Sequence, residues 1–250
     1  MKIKLLVAAA ATVMAGSAMA QSAFQGFYGQ IGTGYESNSL GSGSGNLSYT
    51  SVGVSFGGLN TSSQQFGNTP LIFGLGYNFS ITPKWLLGIG ADYSALSSQN
   101  SSLSSSIVLD GNQVSLGGAS MQLSNRYNIF ITPGYILDKD KLVYLKAGYS
   151  AVGAKLNGPS SATVISSTTA SGTIPISFGS STSTMSGYIV GLGYKQMITK
   201  GFYGFAEANY MSYGRASFSV MGSSLGQAVA ISSNPSLSTY QALVGVGYKF

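Results

Sequence analysis

Seven charged residues fall on one phase of an alternating pattern: Glu36, Asp92, Arg126, Lys146, Lys195, Glu207 and Lys249. Carboxylates and cations that share a face can do two things. They can neutralise one another where water is scarce, because an unpaired buried charge is costly. They can also line a polar path whose ion pairs exchange partners as a solute passes. Chemistry on a substrate fits poorly. The 250 residues include no His and no Cys. A Ser hydroxyl therefore lacks its ordinary base at neutral pH, and no zinc set can be assembled. The six acidic residues are scattered, which argues against a calcium cage or the paired carboxylates of glycoside chemistry. Gly-x-Gly runs lie inside alternating segments with no helix after them, so they do not spell a nucleotide-phosphate site. The reading is a non-enzyme with no cofactor and no metal.

Eight segments with period two must position the charges. They are Gly26–Glu36, Leu71–Phe79, Trp85–Ala95, Arg126–Leu137, Leu142–Ala154, Gly187–Lys195, Phe202–Tyr213 and Tyr240–Phe250. Each has about the 9–11 residues that a tilted membrane strand needs. In the last segment Tyr240, Ala242, Val244, Val246, Tyr248 and Phe250 share one face. Gln241, Leu243, Gly245, Gly247 and Lys249 share the other. Aromatic residues recur eight positions apart on the outward face of five segments: Phe27 and Tyr35, Trp85 and Tyr93, Tyr127 and Tyr135, Phe202 and Tyr210, Tyr240 and Tyr248. Eight residues span roughly 26 Å along a strand, or roughly 20 Å along the axis of a tilted barrel, close to the apolar band between aromatic girdles. A soluble sandwich explains the alternation but not this repeated spacing.

Composition and connections agree. Only 7% of the residues are charged and 35 are Gly, about a quarter of the usual charge for a soluble domain. Past the N-terminus no apolar run is long enough for a spanning helix. Three connections are short (80–84, 138–141 and 196–201) and four are long (37–70, 96–125, 155–186 and 214–239). The fold class expected is all-β: an eight-stranded antiparallel transmembrane β-barrel with short periplasmic turns, long extracellular loops and both termini periplasmic. Its last strand must pair with its first, since an open edge in lipid leaves backbone groups unsatisfied. Tyr49–Phe56 also alternates, and reads either as a loop hairpin or as one of two further strands in a ten-stranded barrel.

The N-terminus sets the compartment. Lys2 and Lys4 precede an apolar stretch, Ile3–Val13, and a small-residue cleavage site at Ala18-Met19-Ala20. Residues 1–20 read as a cleaved secretory signal peptide, similar to the bacterial Sec type, and 21–250 as the barrel domain. Cleavage leaves ten basic against six acidic residues, a net +4. That mild excess is spread along the chain and does not form a nucleic-acid patch.

The terminal pattern resembles the signal read by the barrel-assembly machinery of Gram-negative outer membranes, with Tyr248 and Phe250 in the matching places. With the strand count, it resembles the small family of opacity-type surface proteins and the membrane domain of OmpA. The pattern Gly-x-Gly-Tyr at 74–77, 191–194 and 245–248 adds to the likeness. No peptidoglycan-binding domain of the OmpA kind is expected after the barrel. The resemblance implies a monomer in outer-membrane lipid and contact with host glycans or proteins through the loops. Those loops are rich in Ser, Thr, Gly and Asn, with Asp110, Lys155 and Arg215 as rare charges. Asp110-Gly111-Asn112 between Ser106–Leu109 and Gln113–Leu116 is a hairpin signal. Alternation at Thr163–Ile165, Thr173–Phe178, Ala216–Met221 and Gln227–Ile231 suggests strands that continue as β-rich projections. The expected role is structural or adhesive, with a lumen plugged by polar side chains; the alternative is a narrow porin-like channel. A small barrel has a lumen just wide enough for side chains to fill. Contact between Lys146 and Glu207 is expected first, and between Asp92 and Arg126 second.

Overall fold

Alternating large and small or polar residues suit a pleated strand whose two faces meet different surroundings. The computed structural model describes residues 22–49, 53–96, 98–109, 112–165, 172–224 and 227–250. The signal-peptide residues, Asp110 and Gly111 lie outside them. Eight strands carry the architecture: β1 (Gly26–Leu40), β2 (Leu71–Ser80), β3 (Trp85–Ser94), β4 (Asn112–Asp138), β5 (Lys141–Asn157), β6 (Ser180–Met197), β7 (Phe202–Tyr213) and β8 (Leu237–Lys249). Each pairs antiparallel with the next. β8 then pairs with β1, Tyr28 opposite Lys249 and Leu40 opposite Leu237. The ladder is a ring without a free edge, as a strand structure in hydrocarbon requires.

The two faces separate as the pleat demands. On β8, Tyr240, Ala242, Val244, Val246 and Tyr248 are exposed, as is Phe250 just after it, while Gln241, Leu243 and Gly247 are buried. Trp85 lies opposite Tyr135 and Phe202 opposite Tyr248 near the short turns, with ring centres 5.0 and 4.8 Å apart. Eight residues on, Tyr93 lies opposite Tyr127 and Tyr210 opposite Tyr240. The outward aromatics therefore stand as cross-strand pairs at two levels, with Ile89, Val244 and Val246 exposed between them.

On the long-loop side the strands continue. β4 has 27 residues, about 90 Å if fully extended. Shorter strands join the same sheet: Gly43–Tyr49, Val54–Thr61, Gln64–Asn68, Ser98–Leu109, Ser161–Ile165, Gly172–Pro175, Phe218–Ser224 and Gln227–Ser233 among them. Gly43–Tyr49 and Val54–Thr61 form a hairpin that pairs with Gln227–Ser233. β1 pairs directly with β2, so Tyr49 and Val54–Phe56 belong to the projection and do not enter the ring; residues 50–52 lie outside the described residues.

One irregularity divides the barrel from its projection. Asn125 has φ +50°, and the β4–β5 register shifts between Ser124 and Tyr127. Asn accepts the left-handed region more readily than most residues, and its Oδ1 accepts a hydrogen bond from the Tyr93 hydroxyl at 2.9 Å. This is a β-bulge, and one extra residue reverses which side chains point inward. Below it Arg126, Asn128, Phe130 and Thr132 are buried; above it Leu123, Met121 and Ala119 are.

Candidate functional site

The lumen is built upward from the short-turn end. Phe24 is 2% exposed and packs with Leu86, Leu142 and Tyr144. Its carbonyl accepts a hydrogen bond from Asn78 Nδ2 at 2.8 Å. Next come Tyr28, Ile72, Tyr203, Phe205 and Leu243. Glycines opposite make room for these rings. A Cβ on Gly193 would lie 2.2 Å from the Tyr144 ring, and one on Gly247 would lie 2.3 Å from the Tyr203 ring. Among these tyrosines sits Lys195. Its Nζ lies 4.0 Å from the centre of Tyr28, 4.9 Å from Tyr203 and 5.2 Å from Tyr144. Among the described residues no carboxylate is within ion-pair distance of it. The ring faces supply the negative potential instead.

The middle layer is ionic. Lys146 Nζ lies 2.7 Å from Asp92 Oδ2 and 2.8 Å from Glu207 Oε1, and 4.0 Å from the centre of Phe130. Tyr144 Oη and Asn209 Nδ2 each donate to Glu207 at 2.8 Å, and Asn128 Nδ2 donates to Asp92. One step higher, Arg126 pairs with Glu36. Gln241 Nε2 and Asn38 Nδ2 donate to the same carboxylate at 2.9 and 3.0 Å, and the Thr239 hydroxyl donates to Asn38 Oδ1 at 2.8 Å. Ionised groups with this many partners have exchanged water for fixed hydrogen bonds, which is the condition for a tolerable buried charge.

Six of the seven inward charges are thus buried in the lumen, and Lys146 does meet Glu207. Two expectations need correction. Asp92 does not meet Arg126. The ladder sets Asp92 opposite Asn128 and Ser94 opposite Arg126, so Arg126 stands higher and reaches Glu36, leaving Asp92 to Lys146. Lys249 is not part of the network either. It is half-buried at the short-turn rim, near Ala23, Lys139 and Lys200, because its place on β8 is the last inward one. Sequence reasoning put Gln241 on the inward face but missed Tyr28, Tyr144, Tyr203, Asn128 and Asn209. They share the inward parity of the charges, which is the signal that finds them.

Above Glu36 and Arg126 the interior turns apolar. Leu40, Leu123, Met121, Met185, Met211 and Leu237 begin a large buried cluster that runs through the projection to Phe218, Val220 and Ile231. On the outside of the projection, Ser42, Ser44, Asn60, Ser62, Ser106 and Arg215 line an open groove.

A closed antiparallel ring with an apolar, aromatic-belted outside and charges turned inward defines an outer-membrane type of barrel. The chain belongs to the outer membrane protein beta-barrel domain family, which it matches over residues 6–250; it is a protein of the bacterial outer membrane. Among solved structures it is similar to OprG of Pseudomonas aeruginosa, at 14% identity, with 90% of this chain and 96% of that one covered and a TM-score of 0.50. It is also similar to the outer membrane protease OmpT of Escherichia coli, at 11% identity, 94% and 100% coverage and a TM-score of 0.50. Ail, the attachment invasion locus protein of Yersinia pestis, aligns at 14% identity over 90% and 99%, with a TM-score of 0.37. No curated protein matches the sequence. At such identities the likeness to OprG and OmpT concerns the fold alone.

Proposed function

We propose that this outer-membrane protein works at the cell surface in a structural or adhesive role, as a monomer whose lumen is plugged. The observation that carries this reading is the stack of buried groups across the lumen: Phe24 with its neighbours, the Lys146 ion pairs, then the Glu36–Arg126 pair. An ion entering would have to break contacts that replace its own hydration. Adhesion is favoured by the projection, whose outer groove offers neutral hydroxyl and amide groups and one guanidinium to a host glycan or protein. The groove sets candidate contacts that sequence alone did not nominate. Catalysis is disfavoured by the absence of His anywhere in the chain, since a surface Ser has no partner base.

In this reading residues 1–20 are removed on export, both termini face the periplasm, and the assembly machinery reads Tyr248 and Phe250. The two rings are exposed and meet edge to face, their centres 5.1 Å apart, accessible to a partner before the barrel is complete. Single-channel recording in a planar bilayer is the test. A silent bilayer, with insertion verified independently, is expected. Reproducible open steps that change when Lys146 or Glu207 is neutralised would replace this reading with the narrow channel. For adhesion, cells carrying the protein with residues 43–61 exchanged for a short turn should bind host epithelial cells less while the barrel still assembles.

A further inference from the structure

The rim at the short turns gathers cations that none of the roles above uses. Lys84, Lys139, Lys141, Lys200 and Lys249 stand on it, against Asp138 and Asp140. Little of this charge is neutralised within the rim. Lys141 lies 3.7 Å from Asp138, and Asp140 Oδ2 accepts a hydrogen bond from Gln196 Nε2 at 2.9 Å. Among the described residues no ion pair reaches Lys139, Lys200 or Lys249. These three lysines line one open rim groove of about 490 Å³, together with Asp140, Thr199 and Tyr248. Its walls are fixed by the backbone. Met197 N donates to the Asp140 carbonyl at 2.8 Å, and Lys249 N donates to the Gly201 carbonyl at 2.7 Å. The β4–β5 turn, the β6–β7 turn and the end of β8 are thereby tied side by side.

The aromatic belt sets the height of this groove. Tyr248 is exposed on the lipid-facing side and meets Phe202 with ring centres 4.8 Å apart. Lys249 follows Tyr248 directly and Lys200 precedes Phe202 by two residues, a rise of at most about 7 Å along a strand. Belt aromatics lie at headgroup level, so the groove opens among lipid phosphates. Three cations on a fixed frame repel one another. An anion between them removes that cost and accepts charge-assisted hydrogen bonds. We propose that the rim groove binds the phosphodiester headgroup of an anionic phospholipid, whose acyl chains lie against the exposed Tyr248, Phe202 and Val246. The Tyr248 wall carries the choice of a lipid, because it joins the groove to the lipid-facing surface. The inference needs only the fold. It concerns the opposite end of the molecule from the adhesive projection.

The test places a reporter beside the groove. Phe202→Trp combined with Trp85→Phe moves the single indole of the chain next to Tyr248. The full protein is assembled in vesicles of phosphatidylcholine and phosphatidylglycerol, with one or the other lipid brominated, and quenching of the indole reports their relative affinity. Each lysine near the surface contributes about fivefold, so phosphatidylglycerol should be preferred about tenfold or more. Lys139→Gln, Lys200→Gln and Lys249→Gln together should bring that ratio within about twofold of unity. Lys84→Gln with Lys141→Gln removes two rim lysines outside the groove and should leave the ratio within about twofold of its starting value. Assembly of each variant is checked by heat-modifiable electrophoretic mobility. A ratio near one with the rim lysines intact overturns the inference, whether or not the variants assemble. Equal losses from the two sets of substitutions overturn it too, since diffuse rim charge would then suffice. Abolition of the preference by millimolar inorganic phosphate, but not by chloride of equal ionic strength, would reassign the groove to a soluble phosphate and overturn the lipid.

Discussion

Two lysines in one lumen are held in opposite ways. Lys146 joins Asp92 and Glu207, so Lys146→Met leaves two buried carboxylates without a cation. The expected loss is about 3–5 kcal/mol, read from the urea midpoint of reversible unfolding in lipid vesicles. Lys195 lies over the faces of Tyr28, Tyr144 and Tyr203, with no ion pair among the described residues. Lys195→Met keeps the stem among the rings and removes a desolvated charge. Its midpoint should stay within about 1 kcal/mol of the unaltered protein or rise. Equal losses for both would mean that ring faces hold the cation as firmly as carboxylates do. The inward identity of both lysines was legible from parity alone. Their partners were not, because contacts across a lumen depend on the stagger of strands that are remote in sequence. Asp92 and Arg126 show this: adjacent strands and opposite charge made them natural partners, and one step of register separated them.

The strands themselves were the most legible part of the chain. Eight alternating segments became eight strands of the ring, because each keeps one face for lipid and one for the lumen over its membrane length. What alternation could not carry was the reversal at Asn125. A single extra residue puts Leu123 and Met121 in the phase opposite to Arg126, so a strand-long parity rule fails above it. The apolar interior of the projection was hidden for that reason. The bulge also makes a specific demand on its residue. Asn125→Val forces a β-branched side chain to φ +50° and removes the acceptor for Tyr93. We expect a cost of about 1–3 kcal/mol, with amide exchange quickening in residues 112–124 more than in 126–138. Uniform quickening along β4 would show that the bulge does not separate two units.

At the scale of the molecule, the orientation is open to a direct check. The chain has no native Cys, so single introduced thiols report location cleanly. Ser55→Cys in the projection should react with a membrane-impermeant maleimide on intact cells. Lys139→Cys in a short turn should react only after the outer membrane is permeabilised, and the reverse pattern would invert the proposed topology. Closure of the ring has a further consequence, for folding kinetics. β1 and β8 are the most distant strands in sequence, yet their pairing extends from Tyr28–Lys249 to Leu40–Leu237. Contacts of such high sequence separation form late, because the loop entropy must be met before they contribute. The seam is therefore set by where the chain is cut, not by any weakness in that ladder. A circular permutant with its natural ends joined and a new opening at Lys139–Asp140 keeps every strand pair. It should reach the same native spectrum, with its slow phase now sensitive to substitutions at the β4–β5 ladder instead of the β1–β8 one.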